Sequence, residues 1–496
     1  MQDIALYLED RTLILLSNRE PYEHCHVEGR VEVRQPPGGL VSALDPTMRA
    51  TRGTWVAWGS GSADAETSDS SGRLMVPPDD PAYSLRRVFL DEAEVDGYYV
   101  GFSNAALWPL CHMLVQHFDY RDEYWLRYRS VNEKFARAVA AEVELAEKRP
   151  VVWIQDYHFG LAAELIRSQS SPILIHQFWH IPFPPSDILR LLPIYVNDTL
   201  LRGMLGNDLI AFQTERYAMN FLGCISEFIT DAETDSDNLV IHYAGRSIEI
   251  GVFPISIDVE RYERLAFEPE SVARVERLRG RHARGGCQVG LSVDRVDYTK
   301  GIPERLRALR QLWERHAEMR ERFTMLVVAT PSRSELASYR DLEKEMMCTV
   351  QEINDRFKTE NWEPIVLVNE NVSSEVLAGA YRAADICLVS SLQDGMNLVA
   401  KEFVACQVDE RGVLVLSRFT GAAEVIDDAI LINPFNIDEF VDGIRRALEM
   451  SEGERRVRMR RMRTQLRSLT IFDWLESILS RTRDIINARA EAPSRA

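Results

Sequence analysis

A short apolar run that ends in polar residues and hands over to a helical pattern recurs along this 496-residue chain. Thr12 to Leu16 runs into Ser17, Asn18 and Arg19; Val151 to Ile154 runs into Gln155, Asp156, Tyr157 and His158; Ile173 to Ile175 leads through His176 to Trp179 and His180. Ile386 to Val389 leads into Asp394-Gly395-Met396-Asn397-Leu398 and on to Glu402. A continuous apolar run of this length fits a strand buried on both faces of a parallel sheet. Strands that alternate with helices build a doubly wound parallel sheet. Such sheets bind ligands at the loops leaving the carboxyl ends of their strands, so the polar tips are where function is expected.

The repeat falls into two series. The first holds the runs above from Thr12 to His180, with Gly53 to Gly59 and Asp208 to Thr214 as further strands. The pattern resets near Pro254-Ile255-Ser256-Ile257-Asp258. A second series begins at Cys287 to Val293 and continues through Thr324 to Ala329, Ile365 to Val368, Ile386 to Ser390 and Val413 to Ser417. The reading is two α/β domains in tandem, residues 1–255 and 256–471. A last helical run, residues 472–489, carries Trp474, Leu475, Ile478, Leu479, Ile485 and Ile486 at helical spacing. Ser60 to Gly72, rich in Ser, Asp and Gly, reads as a surface loop. The aromatic stretches Tyr98 to Asn104 and Ala106 to Pro109 suit sugar faces, but a core is the simpler reading.

Composition excludes several classes. Net charge is 58 − 76 = −18, which is no footprint for nucleic acid. Met1 to Asp10 has no basic stretch leading into an apolar one, so no secretory signal is read, and no apolar run reaches membrane length. Seven widely spaced cysteines without a CxxC fit reduced thiols and a cytoplasmic setting. No GxGxxG and no GxxxxGK[ST] is present. His24-Cys25-His26 lacks an evident third ligand, and His112 and His117 miss the helical i, i+4 zinc spacing. No metal and no cofactor is expected.

The chemistry concentrates at four strand ends. Asp394 lies just before a helix, where free N–H groups favour oxygen-rich anions, and Glu402 shares a helix face with Leu398. An N-cap Asp394 and a solvated Glu402 would be the ordinary alternative. Asp294-Arg295-Val296-Asp297-Tyr298-Thr299-Lys300-Gly301 sets two cations between a strand and a helix that starts at Pro303. Together Arg295 and Lys300 suit a diphosphate without a metal, unless they pair with Asp294 and Asp297. Thr330-Pro331-Ser332-Arg333 brings a further arginine, and Arg19 ends the first strand. The double glycine Gly38-Gly39 lets backbone approach a phosphate, or simply turns the chain.

These motifs resemble the trehalose-6-phosphate synthases, from Ser17-Asn18-Arg19 to about Met450. The resemblance rests on Pro37-Gly38-Gly39-Leu40, Gly101-Phe102-Ser103-Asn104 with Leu107-Trp108-Pro109, Asp156-Tyr157-His158, His180-Ile181-Pro182-Phe183-Pro184, Asp294 to Gly301, and Asp394 to Glu402. It implies the GT-B fold, two Rossmann-like doubly wound domains facing a central cleft, with the last helix crossing back to the first domain. It implies a retaining glucosyltransferase that moves glucose from UDP-glucose to glucose 6-phosphate. At matching positions, Arg19, Tyr99 and Arg333 would bind the acceptor phosphate, and Trp108 and Asp156 the acceptor sugar. Gly39, Arg295 and Lys300 would hold the donor diphosphate, Asp394 with the Gly395, Met396, Asn397 and Leu398 backbone the transferred glucose and phosphates, and Glu402 the ribose. Val372 would line the nucleobase side and His180 the donor sugar near its reacting carbon. Asp156, His180, Arg295, Lys300 and Asp394 are the expected catalytic set.

The chain also departs from that family's pattern. Gln155 stands where His is usual, Trp179 where a smaller aliphatic residue is usual, and Gln393 where Arg is usual. Ser417-Arg418-Phe419-Thr420-Gly421 replaces Ser-Glu-Phe-Ala-Gly, and Arg19-Glu20-Pro21-Tyr22 looks more like the glucosylglycerol-phosphate synthases. Donor nucleotide and acceptor, glucose 6-phosphate or glycerol 3-phosphate, therefore stay open, as does a homo-oligomer. A catalytically silent sugar-phosphate sensor would have lost charged site residues, which this chain keeps.

Overall fold

A computed structural model describes residues 7–8, 11–36, 39–170 and 173–491. The turn residues Pro37 and Gly38, and Pro172, lie outside them. The chain divides into two compact units, one running to Pro254 and taking in the chain from Phe472, the other spanning Ile255–Ile471.

The first domain holds strands β1 (Arg11–Arg19), β2 (Glu23–Val27), β3 (Arg30–Arg34), β4 (Thr54–Trp58), β5 (Arg73–Val76), β6 (Tyr83–Val88), β7 (Arg149–Gln155), β8 (Leu174–Trp179), β9 (Leu209–Phe212), β10 (Ala232–Asp235), β11 (Val240–Tyr243) and β12 (Arg246–Val252). Its sheet runs β10-β11-β12-β9-β8-β7-β1-β4-β6-β5. Strands β6 to β12 of that order are parallel, while β5 and the β10-β11 pair close the edges antiparallel. The excursion after Arg19 is a separate hairpin of β2 and β3. The second domain holds β13 (Gln288–Arg295), β14 (Phe323–Thr330), β15 (Ile365–Val368), β16 (Ile386–Val389), β17 (Val413–Ser417) and β18 (Ile430–Ile432). All six are parallel in the order β15-β14-β13-β16-β17-β18. Relabelled by sequence this is 3-2-1-4-5-6, the Rossmann order. The apolar runs are central because both faces are covered: Leu13 to Leu16, Val151 to Ile154 and Ile386 to Val389 are all buried.

One stretch folds otherwise than expected, and a second serves the core as expected but through an unusual helix. The Ser60 to Gly72 segment carries a short helix, Asp64–Thr67, and Asp64 is wholly buried. The aromatic stretch is a wide π-helix, Val95–Leu107, with Tyr98, Phe102 and Leu107 in the core. Its five-residue hydrogen-bond period matches no amphipathic template, which is why the sequence there shows no helical spacing. Tyr98 Oη donates to Asn18 Oδ1 at 2.9 Å, tying this helix to the end of β1.

An ion cluster holds the same strand end. Arg87, on β6 and fully buried, donates from Nε to Glu20 Oε2 at 2.7 Å and pairs through Nη2 with Asp64 Oδ1 at 2.8 Å. His24 Nδ1 lies 2.7 Å from Arg87 Nη2 and so accepts from it. Burial, then a hydrogen bond to Asp64, pushes the Glu20 carboxyl up to about 9, against the pull of Arg87. The protonated form of Glu20 is thereby favoured.

The helix Ile471–Glu491 packs from Phe472 onward on the first domain. Trp474 is buried, its ring 5.8 Å from Trp153 and 5.2 Å from Phe178, and Nε1 donates to Phe253 O at 3.1 Å. Thr482 Oγ1 meets His176 Nδ1 at 3.0 Å, and Arg489 Nη2 pairs with the buried Asp208 at 2.6 Å.

Trp474→Ala is expected to lower the stability of the first domain by about 3–5 kcal/mol, read as the shift of its denaturant-unfolding transition; a loss below about 1 kcal/mol would mean that the helix adds nothing to that core. A second expectation concerns pH. Glu20 binds its proton more tightly folded than unfolded, so its contribution to stability is full below the ordinary carboxylate pKa and declines as pH rises toward about 9. Glu20→Gln, which mimics the protonated acid, should show a smaller fall in unfolding midpoint between pH 5 and pH 9 than the parent chain. An equal fall would place the charge change elsewhere.

Candidate active site

In the second domain the chain leaves β13 toward β14 on one side and leaves β16 toward β17 on the other. The loops after β13 and β16 therefore lie side by side at a topological switch point. They are stitched together: Leu392 N donates to Thr299 O at 2.7 Å, and Ser390 Oγ donates to Lys300 O at 3.0 Å. Gly301 must sit close, since a Cβ there would stand 2.2 Å from Ser390 O, and its φ of +62° suits only glycine well. Across this seam Lys300 Nζ donates to Asp394 Oδ2 at 2.6 Å. Ser391 Oγ and Asn397 Nδ2 bond the same carboxylate oxygen, at 3.2 and 3.1 Å.

The helix after β16 is Leu398–Cys406, and its cap is Asn397, whose Oδ1 accepts from Ala400 N at 3.0 Å. Asp394 is therefore not the cap. It stands a turn earlier, with its backbone bridged to Thr420. Asn397 holds a φ of +85°, a strained value for a side-chain-bearing residue and a common mark of a functional turn. The first-turn amides of Leu398 and Val399 lie outside the intrahelical ladder, and Gly395 and Met396 are buried beneath the loop.

The cations do not pair with Asp294 and Asp297 as the ordinary alternative would have it. Asp294 takes Arg305 Nη1 at 2.8 Å, deep in the domain. Asp297 takes Arg333 Nη1 and the Tyr339 hydroxyl, both at 3.2 Å. Burial alone would raise the Asp297 pKa; Arg333, then Arg295 and Lys300, outweigh it and hold the carboxyl at about 2. Arg295 is exposed at the end of β13 and makes no hydrogen bond or ion pair within 4 Å among the described residues. Arg333, at a φ of +47°, follows β14. Val372 follows β15. Arg295, Arg333, Val372 and Asp394 thus occupy the carboxyl ends of four neighbouring strands.

Glu402 is half-buried rather than an open, solvated helix residue. Its two carboxylate oxygens accept from the hydroxyls of Tyr262 and Tyr381, each at 2.8 Å, and burial raises its pKa. Nothing in the local sequence points to Tyr262, 140 residues away. Arg305, Tyr339 and Gln213 are further residues of these networks that motif reading passes over; only their spacing in three dimensions marks them.

The first domain repeats the design. Its switch point lies between β1 and β7, which end in Arg19 and in Gln155-Asp156. Arg19 is exposed there. Asp156 has a φ of +69°, and its Oδ1 accepts from His180 N at 3.2 Å, at the end of β8. His180 Nε2 bonds Gln155 Oε1 at 2.9 Å, Nδ1 faces Gln213 Nε2 at 3.3 Å, and burial pushes the ring down to about 3. Tyr99, on the π-helix, stacks on His158 with centroids 5.9 Å apart. Trp108 is buried beside His112 and Tyr157 at 4.2 and 5.8 Å. Gly39 opens the helix Gly39–Thr51, one position after the undescribed Gly38. Trp179 is a core residue, its Nε1 donating to Pro182 O at 3.4 Å, and Gln393 is buried within its loop. His24 faces Arg87 and His26 faces Glu66 at 3.3 Å. Among the described residues no group of three acidic, His or Cys side chains is placed to hold a metal.

Known proteins share this fold. Curated relatives include a bifunctional trehalose-6-phosphate synthase/phosphatase of Thermoproteus tenax, 36% identical over 93% of this chain and 62% of its own length. The chain thus spans about three fifths of that relative. A trehalose-6-phosphate synthase of Mycolicibacterium gilvum is 36% identical over 94% of this chain and 92% of its own. A solved α,α-trehalose-phosphate synthase (UDP-forming) from Burkholderia xenovorans, in complex with glucose-6-phosphate, superposes with a TM-score of 0.83 at 32% identity, covering 95% of this chain and 99% of that one. An α,α-trehalose 6-phosphate synthase from Burkholderia multivorans reaches a TM-score of 0.86 at 30% identity, over 98% and 99%. With two Rossmann-like domains of the GT-B kind and the family model matched over residues 11–484, the chain belongs to glycosyltransferase family 20.

Proposed function

We propose that this chain transfers glucose from UDP-glucose to glucose 6-phosphate with retention, forming α,α-trehalose 6-phosphate. The observation that carries the reading is the Lys300–Asp394 contact of 2.6 Å at the switch point, with Arg295 exposed at the end of β13. A donor diphosphate would draw the Lys300 ammonium from Asp394. The carboxylate would then be open to hydroxyls of the transferred glucose, while the Leu398 and Val399 amides face the phosphates. Glu402 would hold the ribose, Val372 the base side, and Gly39 the diphosphate by backbone approach. Arg19, Tyr99 and Arg333 would take the acceptor phosphate, with Trp108 and Asp156 orienting its ring.

The chemistry needs charge stabilised on the leaving phosphate as the glycosidic bond breaks. Lys300 and Arg295 are suited to that, one as a point charge and one as a fork. A departing phosphate oxygen can take the acceptor proton, so no protein base or nucleophile is required. The reaction as proposed uses no cofactor, since the nucleotide sugar is a substrate. Two charged metabolites as substrates and seven unpaired cysteines favour a cytoplasmic setting. No helix among the described residues is long and apolar enough to cross a membrane.

Lys300→Ala should cut kcat about 10²–10³-fold, the size found for loss of one preorganised charge-stabilising group, with an unchanged circular dichroism spectrum. UDP release is the assay, and activity within about threefold of the parent would remove Lys300 from the chemistry. The acceptor is decided by competition: UDP-glucose with equal glucose 6-phosphate and glycerol 3-phosphate, products separated by mass. Trehalose 6-phosphate should dominate, and Arg333→Ala should raise the KM for glucose 6-phosphate about tenfold, as expected for one charge-assisted contact. A dominant glucosylglycerol phosphate would move the chain to the other acceptor, and no UDP release with either would leave the silent sensor.

A further inference from the structure

His180 has both ring nitrogens engaged within the first domain. Gln213 Nε2 directs its N–H at Nδ1, 3.3 Å away, so Nδ1 accepts and carries no proton. Nε2 must then hold the ring proton, which it donates to Gln155 Oε1 at 2.9 Å. The ring is further fixed by Phe178, 4.3 Å from its centroid, and by Trp474 of the last helix at 6.2 Å. Its backbone N–H is the donor that holds Asp156 Oδ1, the acidic group beside it. Both glutamines are buried, Gln155 completely. The Nε2 amide of Gln155 finds no hydrogen-bond partner. A buried, half-satisfied amide is destabilising relative to an apolar side chain of similar shape, so its presence calls for a return elsewhere.

We propose that Gln155 and Gln213 lock His180 in the single tautomer protonated on Nε2, and that this clamp makes Gln155 a positioning residue for Asp156. His180 then has no proton to exchange with substrate. What it contributes is a fixed ring and a fixed backbone amide, which aim the Asp156 carboxylate at the acceptor. Burial reinforces the lock by keeping the imidazole neutral. The inference rests on the proposed roles of Asp156 and His180, and its central claim about the ring can be tested without them.

Long-range ¹⁵N–¹H spectra of the full chain labelled at histidine, with His180 assigned by difference from His180→Ala, read the tautomer directly. The expected result is one protonated Nε2 and one unprotonated Nδ1, invariant from pH 5 to pH 9. A ring that titrates in that window, or that carries its proton on Nδ1, overturns the lock. Gln155→Met keeps length and volume but removes the acceptor. It should mix the two tautomers and lower kcat about tenfold or more, with the KM of UDP-glucose within about threefold. A kcat within twofold, or an unchanged spectrum, overturns the positioning role. Should the parent chain release no UDP with any acceptor, the functional reading fails, while the spectra still decide the tautomer.

Discussion

The contact between Lys300 and Asp394 depends on strand order alone. The two residues are 94 positions apart, and they meet because β13 and β16 are neighbours from which the chain departs in opposite directions. Where the two loops meet at the sheet edge, an ammonium faces a carboxylate that already holds Ser391 and Asn397. An ion pair half out of water is weakly stabilising at best, so it is readily exchanged for a ligand of matching charge. The same sheet edge carries Arg295 and Arg333, and the second is held by Asp297 and the Tyr339 hydroxyl.

Behind this surface is a second tier whose work is geometric. Asp294 and Arg305 brace the β13 loop from below, and Ser390 ties its carbonyls. Tyr262 and Tyr381 fix Glu402. In the first domain the Glu20–Arg87–Asp64 cluster and the Tyr98–Asn18 bond hold the end of β1 from which Arg19 projects. These buried polar groups are costly unless paired; each has at least one partner, though Arg305 Nε and Nη2 have none. They hold exposed cations and carboxylates at fixed points with little motion of their own, which is the condition for stabilising charge without reorganisation.

The motif residues were legible because glycosyl transfer from a nucleotide sugar demands particular residue types at strand ends, and strand ends announce themselves as apolar runs that turn polar. Arg19, Asp156, His180, Arg295, Lys300 and Asp394 all stand at such points. The partners were not legible. Tyr381 and Arg87 sit inside regular elements, where a polar residue reads as ordinary surface until the fold shows it to be buried. The π-helix over Val95–Leu107 escaped for a related reason, since its period matches neither template. The edge strands β5, β10 and β11 are four residues each and partly exposed, too short for an alternating pattern to stand out.

By itself, then, the sequence determined the fold class, two parallel α/β series with a break near Ile255, because burying a strand on both faces demands an apolar run wherever it occurs. It determined the residue types at the strand ends and, through them, the family. The tertiary structure alone decided which charges meet: Lys300 with Asp394 and not Asp297, Arg333 with Asp297, Arg305 with Asp294, Glu402 with two tyrosines. Pairings of this kind follow from sheet order and helix packing, which bring together residues tens to hundreds of positions apart, and no local pattern in a chain encodes that distance.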